Sequence, residues 1–78
     1  MTIEQEVKKI HKLIGNNVKR IRTEKGLSQR SLSLAIGQES TSIISQAELG
    51  KNKHFNIEQL YKISKELDVH ICEFFKED

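Results

Sequence analysis

Residues 27–51 read LSQRSLSLAIGQESTSIISQAELGK, and their spacing describes two short helices joined by a tight turn. Ser28 is an N-cap type of residue, whose hydroxyl can accept a hydrogen bond from an orphan amide of the first turn. Leu27 before it and Leu32 four positions into the helix are placed for a hydrophobic staple. Leu32, Ala35 and Ile36 then recur at three- and four-residue spacing, and Gly37 supplies the freedom to stop, so a first helix is expected over residues 29–36. After the polar run 38–41, a second helix is expected to begin near Ser40. Its apolar face is thin, Ile44 and Ala47, with Ile43 and Leu49 to the sides.

The other face of that second helix carries Thr41, Ser42, Ser45 and Gln46. A helix that only fills a core carries more carbon than this, whereas one that lies in a DNA major groove needs short hydroxyl and amide groups. Gln bonds the adenine edge bidentately, Ser and Thr adapt to several bases, and an apolar group such as Ile43 can rest on a thymine methyl. The competing reading is an ordinary solvated helix face.

On the C-terminal side, residues 50–54, GKNKH, form a small basic loop suited to phosphate contacts through Lys51 and Lys53. Asn56 with Gln59 makes a capping box, and Phe55 with Leu60 repeats the staple. Ile57, Leu60, Ile63 and Leu67 are then expected to line a core. Val69, Ile71, Phe74 and Phe75 follow as a short apolar terminal helix, serving as core or as a dimer contact. On the N-terminal side, Ile3, Val7, Ile10, Ile14, Val18 and Ile21 form a helical stripe of about five turns. Gly15, Asn16 and Asn17 weaken it, which leaves one long helix, a bent helix or two helices as alternatives. Lys25 and Gly26 give a basic last turn and a glycine stop.

Seventy-eight residues fit one domain, 1–78, that is marginal on its own core unless helical or oligomeric. With no proline and four glycines, the composition favours an all-α bundle of about five helices. The lone Cys72 cannot form an internal disulfide and reads as a small core residue in a reducing compartment. Lysines interrupt the N-terminal apolar positions, so neither a signal peptide nor a membrane span is expected, and the location expected is the cytoplasm. The net charge of +2 is unremarkable, but residues 1–26 hold seven Lys or Arg against three acids, and residues 54–78 hold three against six. One basic end and one acidic end suit a chain that approaches a polyanion with one face. His11, His54 and His70 have no ligand-like spacing, so no metal is expected. No phosphate loop or nucleophile motif is present, and neither an enzyme, a cofactor nor a small-molecule ligand is expected.

The blocks IRTEKGLSQRSLSLAIG, IISQAELGK and IEQLYKISKELDVHICEFF, in that order across residues 14–75, resemble the Xre and phage-repressor family of helix-turn-helix DNA-binding domains. Two departures stand out: the turn between the paired helices is one residue longer than the commonest pattern, and the loop 51–56 lacks the usual proline. The resemblance implies a lambda-repressor-like bundle, with residues 28–49 as the helix-turn-helix and residues 1–13 as an extension. It also implies base reading by Thr41, Ser42, Ile43, Ser45 and above all Gln46, and phosphate contacts from Ser28, Gln29, Arg22, Lys51 and Lys53. An ion pair between Arg22 and Glu48 is implied. Ile71, Phe74 and Phe75 present more apolar surface than a short terminal helix needs for its own packing, so a dimer through them is expected, with the extended first helix as the other candidate interface. The partner implied is a double-stranded, near-palindromic operator, as for short phage-type repressors and restriction-modification controller proteins. The alternative is an antitoxin-like interaction module in which DNA binding is secondary.

Overall fold

The computed structural model of the chain describes residues 1–77, in four α-helices and one 3₁₀ helix: α1 (Ile3–Glu24), α2 (Gln29–Ala35), α3 (Ser42–Leu49), α4 (Ile57–Leu67) and the terminal 3₁₀ helix (Ile71–Phe75). The class is all-α as expected, with a 3₁₀ turn where a fifth helix was expected. That segment is only five residues long and its backbone returns to an extended conformation at Lys76. A stretch so short satisfies itself with an i to i+3 bond, here the Glu73 amide to the His70 carbonyl at 3.0 Å.

Local chemistry sets the helix ends. Thr2 and Gln5 form a capping box at α1, Asn56 and Gln59 form one at α4, and the Ser28 hydroxyl accepts the Ser31 amide at 2.9 Å. The start of α3 departs from the expected position near Ser40. Thr41 already has helical backbone angles and caps nothing with its side chain. It is the Ser40 hydroxyl that accepts the Ser42 amide, at 3.0 Å, so the helix proper begins two residues later. Each α-helix closes with the paired bonds of a Schellman motif, for example the Gly50 amide to the Ala47 carbonyl and the Lys51 amide to the Gln46 carbonyl at the end of α3.

Of the alternatives open for the N-terminal stripe, α1 is a single helix of 22 residues, about 33 Å at the standard rise. Gly15 and Asn17, which on propensity weaken it, are held for tertiary reasons. A Cβ at Gly15 would lie 2.2 Å from the Ala47 carbonyl oxygen and 2.9 Å from that of Glu48; the backbone of α1 crosses the end of α3 too closely for any side chain. The Asn17 side-chain amide donates to the Phe74 and Lys76 carbonyls, both at 2.9 Å, and so fastens the terminal 3₁₀ helix to α1.

The core is Ile14, Val18 and Ile21 of α1, Leu32 and Ile36, Ile44 and Ala47 of α3, Phe55, Leu60, Ile63 and Leu67 of α4, and Phe74. Three expectations are corrected here. Ile57 is 70% exposed, because it is the first residue of α4 and lies off the Leu60, Ile63, Leu67 stripe. Cys72 is exposed rather than core. Phe74 is fully buried within the chain and therefore not available as a dimer contact; of the three residues expected there, only partly buried Ile71 and exposed Phe75 reach the surface.

Candidate nucleic-acid interface

Because Ile44, Ala47 and Glu48 are buried, α3 can present only its remaining sides. A helix advances 100° per residue, which puts Ser42, Gln46 and Leu49 opposite that buried face, with Ser45 and Ile43 on its two flanks. Thr41, Ser42, Ser45 and Gln46 are all partly accessible, and Leu49 is exposed. Ile43 is partly buried and packs against the core, so it borders the accessible stripe. The Ser45 hydroxyl donates to the Ser42 carbonyl at 3.3 Å, while the Gln46 amide makes no hydrogen bond among the described residues.

One buried carboxylate holds this helix in place. Glu48 accepts from Arg22 Nε at 2.7 Å and Nη2 at 3.0 Å, and from Gln29 Nε2 at 3.0 Å. Arg22 Nη1 donates to the Leu27 carbonyl at 2.7 Å. A bidentate, desolvated arginine–carboxylate pair is directional, so α3 is fixed to α1 and to the first residue of α2 at once. The same geometry corrects the phosphate role expected of Arg22: the guanidinium is buried and all three of its nitrogens have protein partners. Ser28 is committed too, its hydroxyl accepting from the Ser31 amide and donating to the Ser31 hydroxyl. Gln29 is half-buried and keeps one amide hydrogen for an outside acceptor, since an NH₂ group has two.

After α3 the chain turns sharply. Gly50 lies in the left-handed region at φ +69°, as does Asn52 at φ +50°, and the Lys53 amide donates to the Lys51 carbonyl. Lys51 and Lys53 are both exposed, and neither forms an ion pair among the described residues. A feature that the sequence did not disclose lies beside them: the rings of His11 and His54 stack with centroids 3.9 Å apart and planes at 18°. Partial burial and the neighbouring His54 hold the His11 imidazole below its ordinary pKa. The two histidines are far apart in the chain, and the close approach of α1 to the end of α3, at Gly15 and at Gly50, brings them together.

No group of three or more His, Cys, Asp or Glu among the described residues is arranged to hold a metal ion, and no described helix is long and apolar enough to cross a membrane.

Comparison with known proteins agrees with this geometry. The helix-turn-helix family model matches residues 18–74. The chain is also similar to a solved structure, the restriction-modification controller protein C.AhdI from Aeromonas hydrophila. The TM-score is 0.75 at 28% identity, over 83% of this chain and 96% of that one. No curated protein matches it. The family match begins within α1, at Val18, and leaves the turns before it outside, buried Ile14 among them.

Proposed function

The chain belongs to the helix-turn-helix family of DNA-binding transcription regulators, and from that premise we propose that it binds a near-palindromic operator as a homodimer, with α3 of each copy in the major groove. The observation that carries this reading is the division of α3: a face of Ser42, Ser45 and Gln46 left accessible while Glu48 on the opposite side is locked to Arg22 and Gln29. A rigid helix with short polar groups facing outward is what base-edge recognition requires. Gln46 is the principal base reader, favouring adenine, with Thr41, Ser42, Ile43 and Ser45 around it. Lys51, Lys53 and the spare Gln29 amide hydrogen hold phosphates. The likeness to a restriction-modification controller protein supports a controller-type role.

One helix of eight residues spans few base pairs, and two copies with recognition helices about 34 Å apart double the contacts on a symmetric site. Phe75, 43% exposed beside partly buried Ile71, is the residue assigned to the contact between copies. In analytical ultracentrifugation Phe75→Asp should sediment as a folded monomer; a folded variant that remains dimeric removes this assignment.

For DNA binding, the decisive contrast is between two substitutions measured on a selected operator and on unrelated duplex. Gln46→Ala should lose about 1–3 kcal/mol on the operator and relax selection at one base pair. Lys51→Ala should weaken both duplexes alike and flatten the salt dependence, which for about five Lys or Arg contacts per dimer has a slope of about −4.5 in log K against log salt. If Gln46→Ala keeps full discrimination while Thr41→Ala or Ser42→Ala loses it, the reading role moves to the start of α3. Absence of DNA retention at low salt would end the proposal.

A further inference from the structure

Beyond the family match, α1 continues toward its N-terminus past the loop that leaves α3. Gly50 sits against this part of α1, the position of a Cβ there lying 3.1 Å from the Lys12 Cα. Between the two segments opens a cleft of ≈ 510 Å³ lined by Lys8 and His11 from α1 and by Gly50, Lys51, Asn52, Lys53 and His54 from the loop. Among the described residues its lining holds no carboxylate. None of Lys8, Lys51 and Lys53, which line it, has an ion-pair partner among the described residues. Like charges gathered without a counter-ion repel one another, and a chain gains nothing by assembling them unless something anionic enters. The stacked rings of His11 and His54 join the two walls and place two further groups that become donors on protonation.

We propose that this cleft is a phosphodiester site, through which the N-terminal extension grips the DNA backbone beside the groove that α3 occupies. The proposal rests on the DNA-binding reading and extends its footprint to Lys8, His11 and His54, which lie on an extension and a loop edge rather than on the paired helices. A phosphate between Lys8 and the loop lysines would neutralise the repulsion and give the ring pair an anionic neighbour. Among the described residues, the charged side chains that line the cleft with the rings are Lys8 from α1 and Lys51 and Lys53 from the loop, all cationic. Partial burial and the neighbouring His54 hold the His11 imidazole below its ordinary pKa in the free chain, so protonation of His11 is disfavoured there and favoured once phosphate is present. Binding then takes up a proton, and affinity should rise as the pH falls from about 7.5 to about 6, the range in which histidine titrates.

The test is a salt titration of binding to a generic duplex, with Lys8→Gln compared against Lys9→Gln, an exposed neighbour outside the cleft. Lys8→Gln should make the slope of log K against log salt shallower by about 0.9 per protomer, about 1.8 per dimer, and Lys9→Gln should not. His11→Gln should abolish the gain in affinity at the lower pH. Two outcomes overturn the cleft while leaving DNA binding intact: equal slopes for the two lysine variants, or an unchanged pH dependence in His11→Gln. Ring-proton shifts of His11 and His54 should follow added duplex; if inorganic phosphate at the same phosphate concentration saturates them, the site belongs to a free anion and the assignment to DNA is wrong. Failure of the wild-type chain to retain any duplex at low salt overturns the DNA reading, and the cleft with it.

Discussion

The two halves of α1 carry one pattern and meet two fates. Ile14, Val18 and Ile21 are buried, whereas Ile3, Val7 and Ile10, on the same stripe with the same spacing, are 78%, 42% and 48% exposed. Each buried side chain in the second half contributes about 1.5–3 kcal/mol on leaving water; those in the first half contribute little of this kind within the chain. Periodicity states which side of a helix is apolar. It does not state that anything lies against that side, because the cover comes from elements remote in sequence, here the end of α3 and the terminal 3₁₀ helix. Both reach only the second half, at Gly15 and Asn17.

The largest expected effect is on the second half. Arg22 is buried against Glu48, and Arg22→Ala would leave that carboxylate desolvated with only Gln29 for a partner. A loss of about 3–5 kcal/mol is expected in urea unfolding. The double variant Arg22→Ala with Glu48→Ala should lose much less than the sum of the singles, since no stranded charge remains. By contrast the exposed Arg20–Glu24 pair, one turn along the same helix, is worth about 0.5 kcal/mol or less. Should Arg22→Ala cost no more than an Arg20→Ala control, the buried network is not what fixes α3.

The second test uses the stripe itself. Ile14→Ala should cost about 2–5 kcal/mol, the range for truncating a packed isoleucine. Ile10→Ala, one turn away and on the same side, should cost below about 0.5 kcal/mol, as surface changes do. Equal losses would show that the first half of α1 is covered in solution and would erase the distinction between the halves.

How far the sequence revealed the molecule follows the same line. Signals that act within a few residues were legible: the Asn56–Gln59 box, the Ser28 cap, the stop at Gly26, and the polar face of α3. Signals whose meaning depends on distant chain were not. Gly15 and Asn17 read as helix weakeners because propensity knows nothing of a backbone crossing or of the Phe74 and Lys76 carbonyls that Asn17 binds. Ile57 and Cys72 have core chemistry, but Ile57 falls at the first residue of α4 and Cys72 is on the open side of a 3₁₀ turn. The histidine stack had no local trace at all. For the interface, the resemblance to phage repressors supplied the pairing of Arg22 with Glu48, but it could not show that this pairing withdraws Arg22 from the phosphates.

The smallest expected effect tests what holds the first half of α1 when no core does. The supports of its first turns among the described residues are local: the Thr2 hydroxyl accepting the Gln5 amide at 3.2 Å, the Gln5 side chain accepting the Thr2 amide at 2.9 Å, and Glu4 and Glu6 near the positive end of the helix dipole. A cap is worth about 1 kcal/mol, which in a packed helix would be subtracted from global stability. Here the first turns can unravel without exposing any core residue, so Thr2→Ala should fray them while the remainder stays folded. The expected result is a change below about 0.5 kcal/mol in the unfolding free energy, together with faster amide exchange confined to roughly residues 4–10, since local opening needs only the local terms. The same substitution would loosen Lys8 and His11 against the loop and weaken DNA binding modestly if the cleft holds phosphate. A full kilocalorie lost from global unfolding would instead mean that the first half is coupled to the core as firmly as the second.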